Sequence, residues 1–213
     1  MPESSPQETA QFFSALVPAI FAFNFIAAKA AVSQIPPTTR RKIRHILDVG
    51  AGSAAWSIPF ASAIKDAHVT VIDFPEVTRI TREFTEKWKV ADKYDYREGD
   101  YHEVEFGTDQ FDLVIFGQII HSEGADEGRK LIERAHRALR DEGLLLIGEF
   151  IPNDERTGPE VPLLFGLNML INTPQGDVFT MREYREWLRA AGFGKVSKLE
   201  VPALSPLILA WKG

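Results

Sequence analysis

From residue 46 onward, short apolar runs alternate with longer amphipathic ones. ILDVG (46–50), HVTVIDF (68–74), FDLVIFGQ (111–118) and LLLIGEFI (144–151) are apolar at consecutive positions, as expected of strands buried on both faces of a sheet. YDYREGD (94–100) reads as a weaker third strand in the series. The apolar AAWSIPFASAIK (54–65) follows a small-residue turn after the first strand, and PEVTRITREFTEKWK (75–89) reads as a helix with Pro75 near its start, where a missing N–H costs nothing. ADEGRKLIERAHRALRDEG (125–143) places Leu131, Ile132, Ala135, Ala138 and Leu139 at helical spacing, with Gly143 as a stop. Strands alternating with helices predict an α/β fold with a parallel, doubly wound sheet and helices on both faces. KVSKLEV (195–201) and SPLILAWK (205–212) are separated only by a short Pro/Ser turn, so they are expected to close the sheet as an antiparallel hairpin.

Two segments stand outside this rhythm. FFSALVPAIFAFNFIAAKAA (12–31) is long enough to cross a bilayer, but it contains Pro18, Asn24 and Lys29, and MPESSPQET before it has no basic leader. The expectation is a pair of helices broken near Pro18, with no membrane span. QIPPTTRRK (34–42) follows as a linker, dividing an N-terminal helical extension (1–41) from the main domain (42–213). The stretch 152–179 is too long for a plain connection, and LLFGLNMLI within it has helical spacing. A helix inserted there would lie over the carboxyl edge of the sheet, where doubly wound folds bind ligands.

Composition narrows the classes. The 213 residues include 25% charged and 45% hydrophobic side chains and carry a net charge of −6, so no global field favours nucleic acid, and TTRRKIRH (38–45) is too short to change that. With no cysteine, disulfides and thiolate-held metals are excluded and a reducing, cytoplasmic setting is expected. No grouping of His with carboxylates has metal-ligand spacing, so no metal is expected.

The candidate chemistry lies at successive strand ends. In LDVGAGSAAW, glycines leaving the first strand let the backbone approach a ligand in front of free helix N–H groups, although a Gly-rich turn is also compatible with a plain βα connection. Asp73, at the end of the second strand, suits two ribose hydroxyls and would repel a 2′-phosphate. EGDY (98–101) offers Asp100 to an adenine amino group and Tyr101 to flank the ring. Together these three features predict an adenosine site. FGQIIHSEGAD (116–126) ends a strand in His121, which from the residues alone is either a general base or a polar side chain closing a buried strand. His45, His68, His102 and His136 read as structural or surface residues.

The ordered series ILDVGAGSA, VTVIDFPEV, REGDY, FDLVIFGQIIHSEG, ALRDEGLLLIGEFIPND and NMLINTPQGDVFTMREYREWLRAAGF resembles the S-adenosylmethionine-dependent O-methyltransferases of the plant caffeate and bacterial hydroxyneurosporene type, over about residues 42–213. The resemblance implies a Rossmann-like class I methyltransferase fold. It also implies S-adenosylmethionine as cofactor, S-adenosylhomocysteine as product and a small hydroxylated acceptor. Gly50, Ala51 and Gly52 would meet the methionine portion, Asp73 the ribose, and Asp100 with Tyr101 the adenine. Asp48, Phe74 and Gln118 fall beside them on the cofactor side. His121 falls on the family's general base, Glu149 on an acid that steers it, and Asn168 and Met169 on the acceptor pocket. A base poised near neutrality could take the proton of a phenol as its oxygen attacks the sulfonium methyl.

The chain departs from the family in four places. Ser122-Glu123 replaces Asp-Trp after the histidine, and the second steering acid falls on Val178, with Asp177 beside it. Ala54 stands for the third glycine of the first motif. Of the family's N-terminal winged-helix dimerisation domain, only the last connecting helices correspond, to residues 7–34, which leaves a homodimer through those helices open. Two other functions stay open: a protein of this fold that binds S-adenosylmethionine without transferring methyl, and a nicotinamide oxidoreductase. The C-terminal hairpin and GDY argue against the second.

Overall fold

The computed structural model describes residues 6–213, with side chains along the first helix from Leu16 onward. The elements, in chain order, are α1 (Pro6–Gln34), α2 (Pro37–Arg40), β1 (His45–Val49), α3 (Ile58–Ala63), β2 (His68–Asp73), α4 (Pro75–Lys87), β3 (Tyr94–Glu98), β4 (Phe111–Gly117), α5 (Ile120–Ala138), β5 (Leu139–Gly148), α6 (Glu160–Asn172), α7 (Met181–Ala190), β6 (Phe193–Leu199) and β7 (Leu207–Lys212). The seven strands form one sheet in the order β3-β2-β1-β4-β5-β7-β6. β1 to β5 are parallel, whereas β7 runs antiparallel to both β5 and β6, as the hairpin pattern predicts.

Period-two alternation explains why these strands read as continuous apolar runs. Ile46, Leu113, Ile115, Leu144, Leu146, Leu207 and Leu209 face one core, with Ile58 and Phe60 of α3 and Ala27, Ala28 and Ala31 of α1. Leu47, Val49, Val114, Phe116, Leu145, Ile147 and Ile208 face the other, with Leu131, Ile132 and Ala135 of α5 and Tyr184, Trp187 and Leu188 of α7. Strand order reverses between β1 and β4, so the crevice at the carboxyl edge opens there.

Three boundaries differ from the sequence expectation. α1 is one continuous helix with Pro18 inside it, not two helices broken there. A proline removes one backbone bond and crowds the preceding turn, a cost of about 3 kcal/mol. Here the same helix buries Ala27, Ala28, Ala31, Val32 and Ile35 in the core and stacks Phe21 and Phe25 against Phe84 and Trp88. α5 starts at Ile120, and its residue Gly124 is non-helical (φ 76°, ψ 175°), so the regular helix still begins where the periodicity begins, at Ala125. It stops at Ala138 rather than Gly143, because Leu139 is buried and already pairs with Phe111, and the four residues after it make an irregularity before the ladder resumes at Leu144. The predicted linker contains the single turn α2, started by Pro37.

Leu16–Gln34 is long and apolar enough to cross a membrane by length and composition, with a third of it buried against the domain. The reading that MPESSPQET carries no basic leader rests partly on residues 1–5, which lie outside the described residues.

Candidate active site

The turn after β1 is built on left-handed backbone. Gly50 (φ 61°) and Gly52 (φ 57°) adopt it freely, and Ala54 adopts it at φ 54°. Ala54 stands where the resemblance implies a glycine, and an alanine in this region of backbone space bears a strain of roughly 1 kcal/mol. Gly52 is fixed from both sides. Its N–H donates to Asp73 Oδ2 at 2.8 Å and its carbonyl accepts from Thr81 of α4 at 2.6 Å. A side chain at Gly52 would reach within 3.3 Å of Val17, so α1 lies directly over the turn. Ala51 is buried beside it.

Asp73 also accepts from the Phe74 N–H at 2.8 Å, and Phe74 caps α4. Burial pushes the Asp73 carboxyl up to about 6, against the lowering effect of the two N–H groups. Asp48, deeper under the turn, is pushed up to about 7, chiefly by burial and secondarily by Asp73, with the Ser57 hydroxyl opposing. Among the described residues its Oδ2 has no hydrogen-bond partner. Asp100 accepts the His102 N–H at 2.9 Å, and Tyr101 donates its phenol to Glu123. Gln118 leaves β4 in the left-handed region (φ 65°) and is tied to β5 through the Gly148 carbonyl at 2.9 Å.

His121 and Glu149 meet across the ends of β4 and β5. The ring Nδ1 lies 2.7 Å from Glu149 Oε2, and the Ile120 N–H donates to Glu149 Oε1 at 2.8 Å. The carboxylate is 1% exposed and the histidine 12%, so the pair is sheltered with one ring edge open. A donor at Nδ1 leaves Nε2 as the acceptor. The ring edge rests on Phe165 of α6 at 4.8 Å, and Phe165 stacks on Phe150 at 4.0 Å. Of the two α6 residues singled out from sequence, Met169 is buried, while Asn168 is exposed and bonds along its own helix to Asn172. Phe165, one turn earlier, is the α6 side chain that touches the histidine. Val178 is buried, and the Asp177 carboxylate pairs with Arg156 at 3.2 Å while its N–H donates to the His121 carbonyl. Among the described residues, Glu149 is therefore the carboxylate bonded to the His121 ring.

Trp56 escapes the sequence reasoning altogether. Its indole lies across Gly117 and Gly148, which are register partners on β4 and β5, at positions where any Cβ would come within 2.2 Å and 2.3 Å of the ring. Its Nε1 is buried without a hydrogen-bond partner among the described residues. With Phe23, Gln118, Glu149, Phe150 and Leu204 it lines a narrow cleft beside the histidine pair. The parallel strand endings IFGQ and LIGE are the signal that could have revealed it, since each puts a glycine before a polar residue at the same height of the sheet. Gly148→Ala would force the indole out of this trough and is expected to destabilise the fold by about 1–3 kcal/mol, measured by urea unfolding. An unchanged midpoint would show that the trough is not tightly filled.

A doubly wound sheet closed by an antiparallel hairpin, with acids at successive strand ends, defines the class I methyltransferase architecture. The O-methyltransferase domain family matches residues 4–194, and the chain belongs to that family. It is 28% identical over 177 residues to 3-hydroxy-5-methyl-1-naphthoate 3-O-methyltransferase of Streptomyces sahachiroi, covering 83% of this chain and 50% of that protein. It is 30% identical over 171 residues to acetylserotonin O-methyltransferase of Gallus gallus, covering 79% and 47%. The solved structure of human N-acetylserotonin methyltransferase in complex with SAM superposes with a TM-score of 0.77 at 27% identity, over 98% of this chain and 57% of that one. The chain thus spans about half the length of the curated relatives it matches.

Proposed function

We propose that the chain transfers the methyl group of S-adenosylmethionine to a hydroxyl of a small aromatic molecule, with His121 as general base. The observation that carries this reading is the buried Glu149–His121 pair, which turns Nδ1 to the carboxylate at 2.7 Å, at the carboxyl edge of a family O-methyltransferase fold.

The residues of the edge suit the cofactor. S-adenosylmethionine offers an ammonium, two ribose hydroxyls and an adenine amino group as donors, and the edge offers Asp48 with an unpartnered oxygen, Asp73 with acceptor capacity beyond its two N–H bonds, and Asp100. Gly50 and Gly52 present bare backbone at the turn, with Ile119 and, from α1, Val17 packed against it. The acidic lining, to which Glu123 and Glu149 add, complements a positively charged ligand. Bound there, the sulfonium supplies an activated methyl group, so the protein's task is positioning and proton removal.

The chain's own residues account for those two tasks. Phe165 and Phe150 provide an aromatic wall beside the imidazole on which an acceptor ring can lie. Nε2 receives the hydroxyl proton as the oxygen becomes nucleophilic, and Glu149 stabilises the imidazolium that results. The names of the relatives, which act on a naphthoate and on acetylserotonin, support an aromatic acceptor.

Titration calorimetry tests the cofactor half of the reading. The raised carboxyls of Asp73 and Asp48 must ionise to hold a cationic ligand, so binding releases protons. Affinity for S-adenosylmethionine is expected to rise with pH up to about 7 and then flatten, changing by up to about tenfold per unit for each group below its transition. Affinity that is flat or falls across this range would exclude these acids from the binding site.

A further inference from the structure

Glu123 occupies the position at which the chain departs most visibly from its family, and its surroundings give it a task. The turn that carries His121 is not held by α5 itself. Gly124 breaks the helix immediately after Glu123, and it sits so close to Gln175 that a Cβ would come within 2.8 Å of the Gln175 carbonyl oxygen. Residues 120–123 are thus a separate turn, fixed from its two sides by carboxylates. On one side Glu149 takes the Ile120 N–H and the His121 ring. On the other, Glu123 accepts the Tyr101 phenol and lies 3.0 Å from His102 Nε2.

Tyr101 and His102 belong to the loop after β3, the loop that also carries Asp100. Arg134, three turns along α5, separately anchors this loop by bonding the carbonyls of Tyr101 and Val104, each at 2.7 Å. The loop backbone is therefore already secured. What Glu123 adds is a bond from side chains of the adenosine end of the site to the turn bearing the base. Its carboxylate is 12% exposed, so water competes little for those bonds.

We propose that Glu123 is a positioning residue that fixes the adenosine-side loop relative to His121. The bonds it makes set where the cofactor's methyl group stands with respect to the base, so its loss affects both cofactor affinity and turnover. The inference rests on the methyltransferase reading above, and the test separates the two.

Calorimetric titration with S-adenosylhomocysteine and steady-state kinetics are measured on the wild type, Glu123→Ala, Glu123→Gln, Tyr101→Phe and the Glu123→Ala/Tyr101→Phe double variant, with thermal melting in parallel. Glu123→Ala is expected to weaken binding by about tenfold or more and to lower kcat as well. Glu123→Gln keeps an acceptor for the phenol and should recover most of both losses. Tyr101→Phe should weaken binding by a smaller factor, and the double variant should be no worse than Glu123→Ala, since one bond is removed from either end. If Glu123→Ala does not fold, Tyr101→Phe decides. Wild-type affinity in Glu123→Ala or, failing that, in Tyr101→Phe, whether or not the melting temperature falls, would overturn the proposal, because a merely structural bond lowers stability without touching the site. A wild type that does not bind S-adenosylhomocysteine would instead overturn the methyltransferase reading itself, and the proposal with it.

Discussion

His121→Ala is expected to lower turnover by about 10²–10⁴-fold while leaving the affinity for S-adenosylmethionine nearly unchanged. The size follows from the chemistry. A phenol with a pKa of about 10 is almost wholly protonated at neutral pH, and without a base its neutral oxygen must attack. The selectivity follows from the geometry. His121 makes its ring contacts to Glu149 and Phe165, whereas the acids assigned to the cofactor stand at the ends of β1, β2 and β3. Activity of the variant should recover partly as pH approaches the acceptor's own pKa, since hydroxide then does the work of the imidazole. Steady-state rates across pH with direct cofactor titration check both parts. A variant that loses cofactor binding would place His121 in the wrong half of the site.

Glu149→Gln is the second large effect. The carboxylate accepts from the His121 ring and from the Ile120 N–H, and it is almost fully buried. An amide of the same shape can still accept the Ile120 N–H, so the fold should survive. It can also turn its NH₂ toward Nδ1, which moves the ring proton to Nε2 and removes the base from the side that faces the acceptor. Turnover is expected to fall on the order of 10³-fold, with most of the loss in kcat. Glu149→Ala should add a stability cost of about 1–3 kcal/mol, because a buried N–H is left unpaired. Chemical denaturation of both variants beside their kinetics distinguishes tautomer control from simple loss of structure. Equal kcat in Glu149→Gln and wild type would show that the acid does not orient the base.

Much of the sheet was legible because parallel strands are buried on both faces, and their apolar runs are bounded by turns. Even the marginal YDYRE forms β3, since an edge strand needs only one well-buried residue, Tyr94. The boundaries at Pro18 and Gly143 were misread because local propensity was overridden by burial: α1 is held by the core it covers, and Leu139 is claimed by β4. The candidate site was legible where acids stand at or just past strand ends, as Asp73, Asp100 and Glu149 do. His121, expected to close the fourth strand, lies four residues beyond β4 in the turn that opens α5. Trp56 and Phe165 were not legible, because what matters in them is a tertiary contact. An indole over two glycines, or a phenyl against an imidazole, leaves no periodic trace in one chain. The departures also changed meaning. Ala54 proves compatible with the left-handed turn, Asp177 is engaged by Arg156, and Glu123 reaches the loop after β3 rather than the histidine.

The most direct test of the whole account is methyl transfer itself. The purified chain is incubated with S-adenosylmethionine labelled in its methyl group and a panel of hydroxylated aromatics, and products are resolved by mass. The account predicts label on an acceptor oxygen, formed with release of S-adenosylhomocysteine and suppressed in His121→Ala. Tight cofactor binding with no labelled product from any acceptor, or product formed equally well by His121→Ala, would contradict it.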